Sequence, residues 1–229
     1  MKKETFVISL GGSLIVPDEI DAVFLKKFVG FIRKELAGGR SRFVIITGGG
    51  RTTRRYQEAT RKIAPVTSAD LDWVGLYASR LNAQLLRVVF GKDAYGEIIT
   101  RPWQDVIPRS YGVVVAAGWK PGWSTDYIAV QLAKRVGAKR VLNLSNVARV
   151  YEKDPRKYPQ ARSFNELSWP AFRKIVGNVW RPGLSVPFDP IASQLAEKAG
   201  LEVIIVDGHD LANVGGWMRG SGGEGTIIV

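Results

Sequence analysis

The residues of this 229-residue chain that could do chemistry are glycines and arginines rather than nucleophiles. Phe43, Val44, Ile45, Ile46 and Thr47 form an apolar, β-branched run that passes directly into Gly48, Gly49 and Gly50 and then into Arg51, Arg54 and Arg55. A run without alternation is expected of a parallel strand covered on both faces. The glycines let the backbone turn with positive φ and present N–H groups with no Cβ in the way. Tyr56, Ala59 and Ile63 then recur at helical spacing, so the turn opens a helix whose N-terminus carries partial positive charge and unpaired donors. Such a turn holds a phosphate; a tight turn before a solvated basic helix face is the plainer reading of the same residues. Two further apolar runs end in glycine: Thr5 to Leu10 before Gly11-Gly12-Ser13, and Gly112 to Ala117 before the loop Gly118 to Asp126.

What the chain lacks narrows the chemistry further. With no cysteine, disulfides, thiolate metal sites and a cysteine nucleophile are excluded, and a single histidine, His209, excludes a multi-histidine metal cage. His209 follows Asp207-Gly208 after a strand and reads as a loop residue. The formal charge of +12 steers phosphates, nucleotides or nucleic acid alike, and its scatter over several helices disfavours a nucleic-acid stripe. No secretory h-region and no apolar run of 18 residues is seen, so a soluble, cytoplasmic protein without a membrane partner is expected.

The elements that position the glycine turns follow from periodicity. Asp21 to Ala37 and Ser68 to Phe90 carry apolar residues at helical spacing, and the second holds Asp70 and Asp72 near its start, where the helix dipole favours acids. Residues 94–111 read as a hairpin or edge excursion. Ser124 or Thr125 can cap a helix running to Gly137. Trp119 and Trp123, which could be packing, flank Pro121-Gly122 and are better placed to wall a pocket. Arg140 to Leu144 is a strand. A helix near Pro170 to Val176, a loop with Pro182, Pro187 and Asp189-Pro190, a helix to Gly200, and strands at Glu202 to Val206 and Thr226 to Val229 complete the chain. Gly215 to Gly225 reads as a flexible turn. This alternation implies an α/β fold, a three-layer αβα sandwich with a mostly parallel sheet, whose ligands bind at the carboxyl ends of the strands.

In that order, strand-LGGS, strand-GGG-xxxR, the W-x-G-x-x-x-x-R-x-N-A run from Trp73 to Ala83, KPGWSTD, VYEKDPR and FDPIA resemble the amino-acid kinase family, most closely its archaeal-type UMP kinases. The likeness runs from about Phe6 to Ile228, and the whole chain, 1–229, is read as one domain, with an acceptor-binding half at about 1–125 and an ATP-binding half at about 126–229. It implies transfer of the γ-phosphoryl of ATP, carried with Mg2+, to UMP in pyrimidine nucleotide synthesis. Isopentenyl phosphate kinases, other small-substrate kinases and non-catalytic storage proteins share the superfamily.

Carried over by motif, the resemblance implies that Gly12 and Ser13 hold the ATP phosphates, Gly50 and Arg54 meet the transferring phosphates, and Gly49 meets the UMP phosphate. Asp72 accepts from the ribose hydroxyls. Trp119, Lys120, Pro121, Gly122, Trp123, Ser124 and Thr125 enclose uridine and its phosphate. Ser145, Asn146, Tyr151 and Asp154 form the adenosine side, and Asp189 orients donor loops or cations. Arg54, Asp189 and Ser13 form the catalytic set, with no protein ligand assigned to the metal. A homohexamer built as a trimer of dimers is implied too. A P-loop is absent. Three departures stand out: Ser9 occupies the position of the family's strand lysine, Ala148-Arg149 replaces the usual Asp-Gly after Asn146-Val147, and the two tryptophans are bulky for a uridine loop.

Overall fold

A computed structural model describes residues 3–179 and 186–229; Pro182 of the expected loop lies outside them. Strands β1 (Glu4–Leu10), β2 (Ser41–Thr47), β3 (Val113–Ala116), β4 (Arg140–Ser145), β8 (Glu202–Asp207), β9 (Thr226–Ile228) and β7 (Glu166–Leu167) build one seven-stranded sheet in the order β3-β2-β1-β4-β8-β9-β7. Its pairs are parallel except β8 with β9. A small antiparallel pair, β5 (Val150–Tyr151) with β6 (Ser163–Phe164), stands apart.

Both faces of the sheet are covered, which is why its strands are uniformly apolar. Phe6, Ile8, Leu10, Phe43 and Ile45 pack on one side, beneath α1 (Gly12–Ile15), α2 (Ala22–Ala37), α4 (Ser68–Phe90) and α8 (Leu211–Met218). Val7, Val44, Ile46, Val114 and Val141 pack on the other, beneath α5 (Thr125–Val136), α6 (Trp169–Val176) and α7 (Pro190–Lys198). Helix α3 (Gly50–Ile63) leans on α4, with Gln57 its buried residue. The three-layer αβα reading is therefore correct. The strand order reverses between β1 and β4, with β2 and β3 on one side and β8 on the other, and the crevice above that point is where such sheets bind ligands.

Three local readings are settled. Of the hairpin or edge excursion expected at residues 94–111, the edge excursion is what forms: the segment lies along the open edge of β3, with isolated parallel bridges at Ala94–Val113 and Ile99–Ala116, and so shields an edge strand. The first four residues of the supposed flexible turn Gly215 to Gly225 are the end of α8. Its Gly215 and Gly216 sit so close to Arg219 and to the Gly222 carbonyl, respectively, that a Cβ would crowd them, while Val214 and Met218 bury the helix against the core. Asp70, not Asp72, supplies the acid of the first turn of α4, closing a capping box with Thr67.

Candidate active site

The first two glycine turns meet backbone to backbone. A Cβ on Gly12 would lie 2.1 Å from the Gly50 nitrogen, and one on Gly50, whose φ is +65°, would lie 2.2 Å from the Gly12 carbonyl oxygen. Only glycine fits either position, so the chain brings the ends of β1 and β2 into direct contact. Gly49 caps α3 without a side-chain hydrogen bond; the Arg51 N–H donates to the Val16 carbonyl at 2.9 Å, while the Gly50 and Thr52 N–H groups and the buried Thr53 Oγ1 have no partner among the described residues. Gly11 closes the crevice floor by donating to the Leu144 carbonyl at 2.9 Å, tying the first turn to the end of β4.

Among the arginines that follow, the structure separates Arg54 from its neighbours. Arg51 and Arg55 both reach Asp18, at 3.5 and 2.9 Å, whereas Arg54 forms no ion pair among the described residues. Partial burial and the charge of Arg51 both pull its pKa down, the signature of a cation with no counter-charge of its own.

Helix α4 holds the loop that follows β3. Asp72 Oδ2 accepts from the Gly122 N–H at 2.9 Å, so the two expected neighbours do meet; burial raises the Asp72 pKa and this hydrogen bond offsets part of the rise. Arg80 donates to the carbonyls of Gly118 and Trp119, at 3.2 and 2.6 Å, Ser79 Oγ accepts from the Gly118 N–H, and Asn82 donates to the Gly48 carbonyl. These positioning residues escaped individual notice, although Arg80 and Asn82 lie in the Trp73-to-Ala83 run. Trp119 and Trp123 pack: they join Trp103 and Tyr127 in one aromatic cluster, with ring centroids 4.4 Å apart for Trp103–Trp119 and 4.2 Å for Trp123–Tyr127. Lys120 lies over the Trp119 ring at 4.2 Å. Trp103 is far away in sequence, and no local signal marks it. Ser124, not Thr125, caps α5, accepting from Tyr127 N.

Beneath this loop lies the feature that was missed altogether. Asp126, noted only as the end of the loop, accepts from Ser9 Oγ at 3.1 Å and from the Asp189 N–H at 3.1 Å. Asp189 in turn caps α7, its Oδ1 accepting from Ile191 and Ala192, and its carboxylate neighbours the Ser124 hydroxyl. Burial, reinforced by the charge of Asp189, pushes Asp126 up to about 7, and burial raises Asp189 as well. Neither carboxylate pairs with a cation among the described residues.

On the other side of the switch point, Ser145, Asn146, Tyr151 and Asp154 come together on the wall of a cavity of about 650 Å3, within the range of nucleotide-sized sites. Asp154 is held by Arg156, which also keeps its pKa low. Arg149 lines the same cavity and is anchored by Asn165 at 2.6 Å and Glu224 at 3.6 Å. Among the described residues the crevice thus offers open backbone donors, an arginine without an ion pair, one flanking cavity and the aromatic loop. That equipment suits the alignment of two polyanions and contains no nucleophile–base pair.

Similarity to known proteins agrees with this geometry. Residues 4–207 match the family model described as the amino acid kinase family. The uridylate kinase of Methanospirillum hungatei is 32% identical over 227 residues, covering 98% of this chain and 94% of its own. That of Thermoplasma volcanium is 35% identical over 229 residues, covering 98% and 97%. The crystal structure of uridylate kinase from Archaeoglobus fulgidus superposes with a TM-score of 0.82 at 27% identity, covering 99% of this chain and all of that one (100%). A sheet with its switch point at β1 and β4, two interlocked glycine turns and matches of this extent lead to one assignment: the chain belongs to the amino acid kinase family.

Proposed function

We propose that the protein is a UMP kinase, transferring the γ-phosphoryl of ATP to the phosphate of UMP to give UDP and ADP, as a cytoplasmic step of pyrimidine nucleotide synthesis. The observation that carries the reading is the backbone contact of the Gly12 and Gly50 turns at the switch point, between a nucleotide-sized cavity and an aromatic loop. The relatives named uridylate kinase support the choice of acceptor.

In this reading Ser145, Asn146, Tyr151 and Asp154 receive the adenosine of ATP, and Gly12, Ser13 and Gly50 receive its phosphates. Gly49 meets the phosphate of UMP. Asp72 accepts from its ribose hydroxyls, and the loop from Trp119 to Thr125, with Lys120, Pro121, Gly122, Trp123 and Ser124, closes on the base. An oxygen of the acceptor phosphate attacks the γ-phosphorus while its bond to the β-bridging oxygen breaks, and ADP leaves with that electron pair. The attacking oxygen is already anionic, so no general base is needed and catalysis rests on in-line placement and charge neutralisation. Arg54 supplies the mobile positive charge, and Asp189 fixes the loop start of α7 beside the acceptor loop. Mg2+ would enter with the nucleotide, where it would neutralise charge on the phosphates.

The protein is further read as a homo-oligomer, with a hexamer as the specific expectation. Its support is an apolar stripe on the outer face of α4, where Trp73, Tyr77, Leu81 and Val88 are solvent-exposed, Leu81 at 64%. A coupled ADP-release assay with UMP, CMP, AMP and isopentenyl phosphate tests the activity: turnover with UMP is expected, and turnover with isopentenyl phosphate but no nucleotide refutes it.

A further inference from the structure

At the end of the sheet opposite the glycine turns lies a cavity of about 780 Å3 that the phosphoryl-transfer reading does not use. Its wall carries Lys3, Arg42, Arg109, Lys134, Arg135 and Lys139, against Glu4 as its one carboxylate. These cations converge from four stretches of chain: the starts of β1 and β2, the segment before β3, and the end of α5 with its turn into β4. Among the described residues none of the six forms an ion pair.

Arg42 is the anomaly at the centre. It is only 4% exposed, yet its guanidinium meets no counter-charge; Nε and Nη2 donate to the carbonyls of Tyr111 and Pro108, and Nη1 has no hydrogen-bond partner among the described residues. Nη1 keeps access to solvent, so an anion entering the cavity completes a guanidinium otherwise met only by carbonyl dipoles. Burial and the neighbouring charge of Arg109 both depress its pKa, so the cluster repels itself when empty. Arg135 is held in place by the carbonyls of Pro102 and Asp105, so part of the wall is fixed in advance.

We propose that this cavity is a second anion site, separate from the nucleotide crevice, that takes a small polyphosphate-bearing molecule with Arg42 as its anchor. Several cations spread around a concave volume match a chain of phosphates better than a single anion, and guanidinium presents the planar fork that phosphate oxygens accept. The two sites lie at opposite ends of β1, roughly 20 Å apart at the strand rise per residue, so both can be filled at once.

Calorimetric titration with inorganic tripolyphosphate at physiological salt tests the proposal. Three proteins are compared: the wild type, Arg109→Ser/Lys139→Ser at the cavity, and Lys27→Ser/Arg61→Ser, which removes the same charge from α2 and α3. The cavity variant is expected to bind at least tenfold more weakly, or to lose one equivalent, while the other variant matches the wild type. Equal binding by all three, or equal losses in both variants, overturns the site in favour of diffuse charge. Arg42→Met is a stricter probe if it folds; the surface pair keeps the test decisive if it does not. ATP in place of tripolyphosphate separates the sources: a step lost in the cavity variant that is tighter for ATP assigns a nucleoside triphosphate, and one tighter for tripolyphosphate assigns an inorganic chain. A single-stranded oligonucleotide that binds more tightly than either, through the same residues, overturns the small-molecule reading. The readout is binding, so it stands or falls independently of the phosphoryl-transfer activity.

Discussion

Replacing Asp126 by asparagine isolates the energetic cost of the carboxylate beneath the acceptor loop. Its pKa rises from 3.8 to about 7 on folding. Below about pH 4 the folded and unfolded chains both hold this proton, and the group costs nothing. Between about pH 4 and 7 the unfolded chain releases it while the fold retains it, so each pH unit removes about 1.4 kcal/mol of stability, and above about 7 the loss levels off. The full interval amounts to about 4 kcal/mol; residual water access at a partly buried side chain reduces this to about 2–4 kcal/mol. Asparagine is close in shape and carries no such cost. Its Oδ1 can accept from the Asp189 N–H and its Nδ2 can donate to Ser9 Oγ, which as a hydroxyl takes either role. Urea unfolding of both proteins at pH 4, 6 and 8, at one protein concentration, reads the difference. The wild type should lose about 2–4 kcal/mol relative to Asp126→Asn across that range, with Asp72 contributing equally to both proteins. A stability difference that stays constant with pH would refute the reasoning, because it would mean that Asp126 is ionised in the fold as it is in the unfolded chain.

Four further outcomes follow from the site. Arg54→Ala should lower kcat by at least about 100-fold, the scale of a positioned transition-state donor; steady-state kinetics with an unchanged kcat would show that the transferring phosphate meets a different cation. Asp72→Ala should weaken UMP binding by about 1.5–3 kcal/mol, the range for a charged hydrogen bond, and leave ATP binding nearly unchanged, as measured by calorimetry with each nucleotide alone. Gly50→Ala must place a methyl against the Gly12 carbonyl at a φ of +65° and should cost at least about 3 kcal/mol, read as a lowered Tm. Tyr77→Lys/Leu81→Lys should reduce the mass seen by light scattering; a wild-type protein that is already monomeric rejects the oligomer.

How much of this was legible in the sequence depended on the range of the interactions. Parallel strands buried on both faces and long amphipathic helices announce themselves by local pattern, and α4 begins and ends at the expected residues. The glycine turns were readable because only backbone freedom explains glycines at the ends of apolar runs. What could not be read was made by pairs distant in the chain. Ser9 and Asp126 are 117 residues apart, and Trp103 reaches Trp119 only because residues 94–111 wrap the β3 edge. Arg42 looks like any strand-end cation until the fold buries it. The helical end of α8 was misread for another reason: adjacent glycines carry a turn propensity that close packing overrides.

The exchange of the expected strand lysine for Ser9 reorganises the charge beneath the reaction centre. A lysine there would neutralise Asp126 and still present positive charge upward. Serine offers only a neutral hydrogen bond, so among the described residues Asp126 and Asp189 are left as two neighbouring acids without a cation, and below about pH 7 the proton that Asp126 retains does the neutralising. This keeps negative charge away from the path of the phosphoryl group, but it supplies no attraction. On the proposed phosphoryl-transfer reading the attraction comes from what the crevice still offers: the Gly50 and Thr52 N–H groups at the start of α3, Arg54 with no acidic partner among the described residues, and the Mg2+ that would travel with the nucleotide. On this reasoning Ser9→Lys should pair with Asp126, return its pKa toward the ordinary carboxylate range and flatten the pH dependence of stability described above. It should also lessen the dependence of kcat on Arg54. A Ser9→Lys/Arg54→Ala double variant is therefore expected to be faster than Arg54→Ala alone, and equal rates for the two would show that position 9 lies outside the reach of the transferring phosphate.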